Sequence, residues 1–290
     1  MNLWQEYLRP TNLSQALKAF AEASGPILPI AGGTDLLLDL EQGRHSPVHT
    51  LLDVTSIAEM TALEVRGDSL FIGAAIPVNR IVLDPFVVAR AQALTEACNL
   101  IAGPQVRNVA TLGGNVAHAL PAADGTIALL ALNAQAEIAD LTGTRLVPFK
   151  DLFVGPGKSS LKHGQELLIG FYLPLSQKGQ ASCFKRIMRP QGVALPIINL
   201  AIWLERTGNV VSQIRIAVGP GGPTPWNGTE PEKALIGKPL NDETLDAALE
   251  SLLAQVGFRS SARRASSDYR RHIVTGLFKD VLETAWKRAE

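Results

Sequence analysis

The sequence predicts an α+β fold in two parts, and three observations carry that reading. At 290 residues the chain is about twice as long as a typical single domain. Helical and strand-like segments intermix up to Pro174, where a polar, glycine-bearing stretch, Ser176-Gln177-Lys178-Gly179-Gln180, interrupts them. Beyond it strands come first and helices last, the order of a small α+β unit with its own layers. The division falls between residues 1–176 and 177–290.

The first element is a helix. Asn12 and Gln15 stand at capping-box spacing, and Leu13, Ala16, Leu17 and Phe20 recur at helical intervals until Gly25-Pro26 stops the run. A short apolar strand, Ile27 to Ala31, enters Gly32-Gly33-Thr34-Asp35, and the apolar stretch Leu36 to Leu40 follows. Leu51 to Val54 and Ser69 to Ala75 read as strands. One helix is predicted over Val87 to Cys98, ending before Ala102-Gly103-Pro104. After the small-residue passage Asn108 to Asp124 come a helix at Thr126 to Leu132 and strands at Ala136 to Asp140 and Gln165 to Leu173. The second part offers strands at Ala181 to Met188, Ile197 to Leu204 and Val210 to Val218. The loop Gly219 to Pro225 separates them from helices at Asp242 to Gln255 and from Ser267 onward. No internal repeat is apparent.

Composition narrows the function. A hydrophobic share of 46% and a charged share of 19% belong to a globular chain. With 27 basic and 27 acidic residues there is no basic excess of the kind nucleic acid selects. Two cysteines, Cys98 and Cys183, fall short of the four thiolates of an iron–sulfur cluster. The start MNLWQEYLRP has no leader pattern, and runs such as Ile127 to Leu132 are far below the ~20 apolar residues of a membrane span, so the expected address is the cytoplasm. Asn12-Leu13-Ser14 and Asn227-Gly228-Thr229 match the glycosylation pattern but read as a helix cap and a turn.

Two glycine pairs carry the chemistry. In Ala31-Gly32-Gly33-Thr34-Asp35 the missing side chains admit a ligand to the backbone, and consecutive amides form a concave nest suited to a diphosphate. Thr34 adds a hydroxyl. Asp35 would repel phosphate, so it is expected to cap the turn or accept a hydrogen bond. Thr111-Leu112-Gly113-Gly114-Asn115 repeats the design at the end of a second apolar segment, with Asn115 both donor and acceptor. Either pair alone reads equally as a tight turn. Asp124 either caps the helix after it or accepts a hydrogen bond from a ligand. Arg107 is expected to hold its loop, and His118 to be structural or exposed.

Other motifs fail on spacing. No Gly-x-Gly-x-x-Gly follows the first strand, and Leu152 occupies the first glycine position of a would-be phosphate loop ending in Gly157-Lys158-Ser159. Pro47 between His45 and His49 argues against a helical zinc pair. No nucleophile elbow or zinc-protease motif is present, so neither a catalytic residue nor a metal ligand is assigned.

With these residues in place the chain resembles the FAD-binding medium subunit of the molybdenum hydroxylases, the xanthine dehydrogenase and carbon monoxide dehydrogenase family. The resemblance rests on Ala31 to Asp35, on Ile101-Ala102-Gly103 running into Arg107-Asn108 and Thr111 to Asn115, on Pro121-x-x-Asp124, Glu166-Leu167-Leu168, Phe184-Lys185 and Tyr269-Arg270. It implies a two-part FAD-binding domain of the vanillyl-alcohol-oxidase-like (PCMH) type at 1–176, followed by a small α/β flavoprotein C-terminal domain at 177–290. By the same resemblance Pro29, Ile30, Ala31, Gly32, Gly33, Thr34, Asp35 and Leu36 wrap the FAD diphosphate, and Thr111, Gly114 and Asn115 complete the cradle. Asp124 contacts the cofactor, Ala102 and Leu168 line it, and Lys185 approaches the flavin ring. Leu120 stands where the family often has Ser or Thr.

The resemblance also implies partners, a large molybdenum-cofactor subunit and a small iron–sulfur subunit, in a hetero-oligomer such as a dimer of heterotrimers. This chain would take electrons from the partner clusters and pass them through FAD to NAD, oxygen or a quinone. A scaffold or nucleotide-binding subunit without functional FAD, and a self-sufficient flavin oxidoreductase, are the rival readings. A β-branched residue at Gly32 or Gly114 is expected to abolish FAD retention while leaving the fold intact.

Overall fold

The computed structural model describes residues 3–189, 195–262 and 264–290. The first helix is Leu13–Glu22, and Asn12 caps it by accepting from the Gln15 amide at 2.9 Å. Gln15 turns its side chain to the Thr11 amide, 3.0 Å, so the reciprocal arm of the capping box is taken one residue earlier. This helix leads into a three-stranded parallel sheet in the order Glu6–Leu8, Thr50–Asp53, Ile27–Ile30. Ile30, Leu51 and Val48 make its small core.

A second, antiparallel sheet of five strands follows in the order Leu63–Arg66, Ser69–Gly73, Leu167–Pro174, Gln135–Asp140, Gly143–Pro148. Its largest fully buried side chains are aromatic, Phe71 and Phe171, with Phe149 packed edge-on against Phe171 at 5.9 Å between ring centres. The predicted helix over Val87 to Cys98 is in fact two helices, Pro85–Arg90 and Gln92–Leu100, broken at Ala91. Asp84 caps the first by accepting from the amides of Phe86 and Val87. The second is capped from a distance: the Ser182 hydroxyl accepts from the Ala93 amide at 3.1 Å. A partner 89 positions away in sequence lies beyond any local pattern.

The second part is a four-stranded antiparallel sheet in the order Gln180–Met188, Pro196–Thr207, Val210–Gly219, Trp226–Asn227, with helices Thr229–Leu235, Asp242–Gln255 and Ser267–Arg288. Both faces of this sheet are buried. Cys183, Ile202, Leu204, Ile216 and Val218 pack on the two long helices. Phe184, Ala201, Trp203 and Ala217, one step out of phase as the strand period requires, join the core of the first part. There they meet helix Gln92–Leu100 and helix Asp124–Ala131, the latter buried along its whole length. Burying Phe184 alone contributes about 2–3 kcal/mol to holding the two parts together. Polar contacts reinforce the seam, for Glu96 accepts from the Phe184 amide at 2.7 Å and pairs with Arg288 at 2.5 Å. Cys98 and Cys183 are both buried and unbonded, and burial raises both thiols, that of Cys183 to about 12. Among the described residues no helix is long and apolar enough to cross a membrane.

Candidate functional site

The first glycine loop leaves the parallel sheet at Ile30 and enters a short helix, Leu36–Glu41. Gly33 takes φ +66°, a left-handed conformation that suits glycine. Among the described residues no acceptor takes the amide hydrogens of Gly32, Gly33, Thr34, Asp35 and Leu36. These five are half-buried or at the surface in one short turn, so their hydrogens are left to solvent or to a ligand. They leave donors on five consecutive residues. Asp35 sits at the cap position of the short helix but makes no cap bond.

The second glycine pair is built differently from the first. Thr111 caps the helix Leu112–Ala117, so Gly113 and Gly114 lie in a helical first turn rather than in a turn after a strand. The Leu112 amide donates to the Ile76 carbonyl, the Gly113 amide to the Ala74 carbonyl at 2.9 Å, and the Gly114 amide to the Thr111 hydroxyl at 3.0 Å. The expected second nest is therefore not a nest, because its amides are spent on fixing the helix. What it presents is Gly114, exposed and facing open space except for Thr111 Oγ1, and Asn115, whose Oδ1 is buried without a partner among the described residues.

The two loops touch. A Cβ on Gly32 would overlap the Val109 carbonyl oxygen and lie 2.6 Å from its carbon, so the glycine lets the first loop press on the segment that opens the second. His118, at the end of the Leu112–Ala117 helix, stands 3.6 Å from the Asp35 carboxylate and 3.8 Å from that of Asp39. The neighbouring Asp35 carboxylate raises the His118 pKa, and His118 in turn lowers that of Asp35. A raised histidine adds stability that is whole below its unfolded value of about 6.5 and is lost as pH climbs through the folded value. A lowered carboxylate adds stability that is whole above about 3.9 and is lost as pH falls through its folded value. This tie between the loops is thus strongest from about pH 4 to 6.5. Denaturation of wild type and H118N at pH 5.5 and pH 9 is expected to show a difference at the lower pH that shrinks at the higher. An equal difference at both would remove the ionic role.

The remaining predicted residues fall as follows. Pro29 is exposed and Ile30 is buried at the end of the strand, with Ala31 half-buried beyond it. Ala102 is held at φ +47°, unusual for alanine, while Arg107 donates to the carbonyls of Ile101 and Ala102 at 3.1 and 2.9 Å. Leu168 is buried in the five-stranded sheet. The neighbouring Ile169 carbonyl accepts from Ala74, whose own carbonyl takes the Gly113 amide, tying that strand to the second glycine segment.

Asp124 opens the helix Asp124–Ala131 without capping it, and both its oxygens are engaged by the second part of the chain. Asn199 Nδ2 donates to one at 2.7 Å and Arg186 pairs with the other. Burial raises the Asp124 pKa, with Arg186 and Asn199 acting against it. Among the described residues, Arg186 and Asn199, the two groups that engage this carboxylate, each keep one buried polar atom without a partner, Nε and Oδ1, and Asn115 Oδ1 is likewise buried and unpaired. Asn115 Oδ1 lies beside Gly125, where a Cβ would come within 2.8 Å of it. Native interiors rarely leave such groups unmatched, and a cluster of them marks a place that a polar ligand completes.

Lys185 does not join this group. Strand alternation sends it to the opposite face, where Nζ meets Asp280 at 2.6 Å and Thr284 at 3.2 Å on the closing helix. The basic residue turned toward Asp124 is its neighbour Arg186. Arg186 and Asn199 were not singled out from the sequence, although Asn199 is the one polar residue in the run Ile197 to Leu204. Two clefts of about 300 and 440 Å³ lie elsewhere, one beside the first helix and one at residues 176–182.

The unpaired amides of the first loop suit a diphosphate, and the unpaired atoms of Asn115, Arg186 and Asn199 suit a polar group, so the residues present fit a flavin dinucleotide. Comparisons with known proteins agree. The family model described as the FAD binding domain in molybdopterin dehydrogenase matches residues 3–176, and that of the CO dehydrogenase flavoprotein C-terminal domain matches residues 182–285. The xanthine dehydrogenase FAD-binding subunit of Escherichia coli O157:H7 is 34% identical, covering 96% of this chain and 95% of that one. The carbon monoxide dehydrogenase medium chain of Hydrogenophaga pseudoflava is 29% identical, with 98% and 97% covered. A solved structure of carbon monoxide dehydrogenase from the same organism superposes with a TM-score of 0.92 at 28% identity, covering 98% of each chain.

Proposed function

The chain belongs to the FAD-binding subunits of the molybdopterin dehydrogenases, and from that premise we propose that it carries FAD and relays electrons within a multi-subunit oxidoreductase. The observation that carries this reading is the run of amides from Gly32 to Leu36 that meet no acceptor among the described residues. Backbone amides hold a diphosphate without any lysine cluster, in keeping with a formal net charge of +0.

In this reading the segment Pro29 to Leu36 binds the diphosphate, with the Thr34 hydroxyl as a further donor. Gly114 leaves room beside it, and Asn115 and Asp124 address the polar edge of the ring from the buried cluster. Ala102 and Leu168 supply apolar wall. Arg186 and Asn199 orient the Asp124 carboxylate and, being anchored in the second part of the chain, close the site from that side. Bound flavin supplies the chemistry that couples one-electron donors to a one- or two-electron acceptor.

The organic substrate and the molybdenum and iron–sulfur groups then belong to partner chains, and NAD, oxygen or a quinone takes the electrons. Purification from the native source with cofactor and metal analysis tests this. FAD in this chain, with molybdenum and iron in co-purifying chains, is the expected result; a chain that purifies alone and turns over NADH with a small acceptor would replace the relay with a self-sufficient oxidoreductase. A further expectation concerns Lys185. Because its ammonium is paired with Asp280, K185M is expected to leave the flavin midpoint potential unchanged in a spectroelectrochemical titration, and a clear shift would return the lysine to the ring.

A further inference from the structure

Arg270 lies in the first turns of the closing helix and is 4% exposed, with its Nε meeting no acceptor among the described residues. Among the described residues no acidic group offsets it; burial and the charges of Arg264 and Arg259 together hold its pKa below the ordinary arginine value. A buried charge facing two like charges is strongly disfavoured unless a counter-ion joins it. The segment 259–271 carries five arginines and one aspartate. That aspartate, Asp268, is exposed and takes the Ser267 hydroxyl at 3.3 Å.

The loop before the helix is built to keep the arginines together. Ser261 donates its amide to the Ala265 carbonyl at 2.9 Å, Arg264 to the Ser261 carbonyl at 3.1 Å, and Ser267 to the Ser260 hydroxyl at 3.0 Å. The chain is thereby folded back on the start of the helix. Arg259 is exposed, Arg264 half-buried and Arg270 buried, and the charges of the first two reach the third. Guanidinium forks match the oxygens of phosphate in paired hydrogen bonds, and several together favour a doubly charged anion over a single carboxylate.

We propose that Arg259, Arg264 and Arg270 form a binding site for a phosphate-class anion. The ligand is either free phosphate or the phosphate groups of a nucleotide. Arg189, three residues beyond Arg186 and so about 10 Å along the chain from the Asp124 cluster, donates to the Arg264 carbonyl at 3.2 Å. The site stands whether or not the chain carries flavin, since binding rather than turnover reports it.

Calorimetric titration of the full chain, kept in saturating FAD so that the first glycine loop is filled, with pyrophosphate, inorganic phosphate, ADP and adenosine tests the proposal. Pyrophosphate is expected to bind, and R259A/R264A, whose changes are at the surface and half-buried positions, to keep the unliganded melting temperature while losing at least tenfold in affinity. R270K keeps the charge but not the fork and is expected to weaken binding as well, which covers the case in which removing Arg270 outright prevents folding. Where the heat is weakened in R259A/R264A, ADP binding well above inorganic phosphate, with adenosine silent, assigns the site to a nucleotide, and equal affinity for ADP and phosphate assigns it to the free anion. No heat from pyrophosphate, phosphate or ADP up to about 10 mM, or unchanged affinity in R259A/R264A, overturns it.

Discussion

Replacing Arg186 with alanine is expected to destabilise the chain by about 3–5 kcal/mol, the usual cost of leaving one buried partner of an ion pair alone. Asp124 and Arg186 have side chains 5% and 7% exposed, so little solvent is available to take over. In the variant only the Asn199 amide would still face the carboxylate, and the already raised Asp124 pKa would climb further. For a carboxyl whose folded pKa exceeds the unfolded one, stability is whole at low pH and is lost as pH rises through the folded value. The deficit of R186A against wild type is therefore expected to be smaller at pH 5 than at pH 8 in urea denaturation. D124L/R186M removes both charges at similar volume and is expected to recover more than half of the loss, since apolar replacements of buried pairs are often close to neutral. That double variant should fold without retaining flavin, which separates the stability of the seam from the cofactor site. A loss below about 1 kcal/mol in R186A would mean that the pair is not buried against the seam as described.

The second large effect distinguishes the two glycine segments. Gly32→Val drives its Cβ into the Val109 backbone, and a backbone cannot rotate aside as a side chain can. A destabilisation of about 3 kcal/mol is expected, with loss of flavin as a consequence of the displaced loop. Gly114→Val is different. Its Cβ would meet only Thr111 Oγ1 at 3.2 Å, so the helix should fold with a near-normal melting temperature while the flavin content falls. The sequence alone predicted one outcome for both glycines, an intact fold without cofactor. The structure divides them because Gly32 is where two protein segments meet and Gly114 is where the protein ends. Normal flavin content in G114V would place the cofactor elsewhere.

How much was legible follows from where each signal lay. Helix Leu13–Glu22 and the strand Ile27–Ile30 are written locally, in a cap residue and in apolar spacing. Short edge strands such as Leu63–Arg66 and Gly143–Pro148 escape a sequence reading because they are largely exposed: the first alternates apolar and polar residues over only four positions, and the second carries no alternation. Thr111 to Gly114 has the spacing of a helix cap and its bonded amide; reading it as a turn let the glycine pair outweigh the threonine. The choice between Lys185 and Arg186 was not available from sequence. Period-two alternation puts adjacent residues on opposite faces, but both faces of this sheet are buried, so the pattern does not say which looks toward Asp124. His118 and Asn199 depend on partners 83 and 75 positions away (118 less 35, 199 less 124), contacts that only the assembled fold supplies.

The central claim is that this chain holds FAD through the first glycine loop and the Asp124 cluster. Its most direct test is the visible spectrum of the purified full-length chain after incubation with FAD and removal of excess, measured beside G114V and with melting curves for both. A yellow wild-type protein retaining FAD in stoichiometric amount, with a pale G114V that melts near the same temperature, is the predicted result. A well-folded wild-type chain that stays colourless would contradict it.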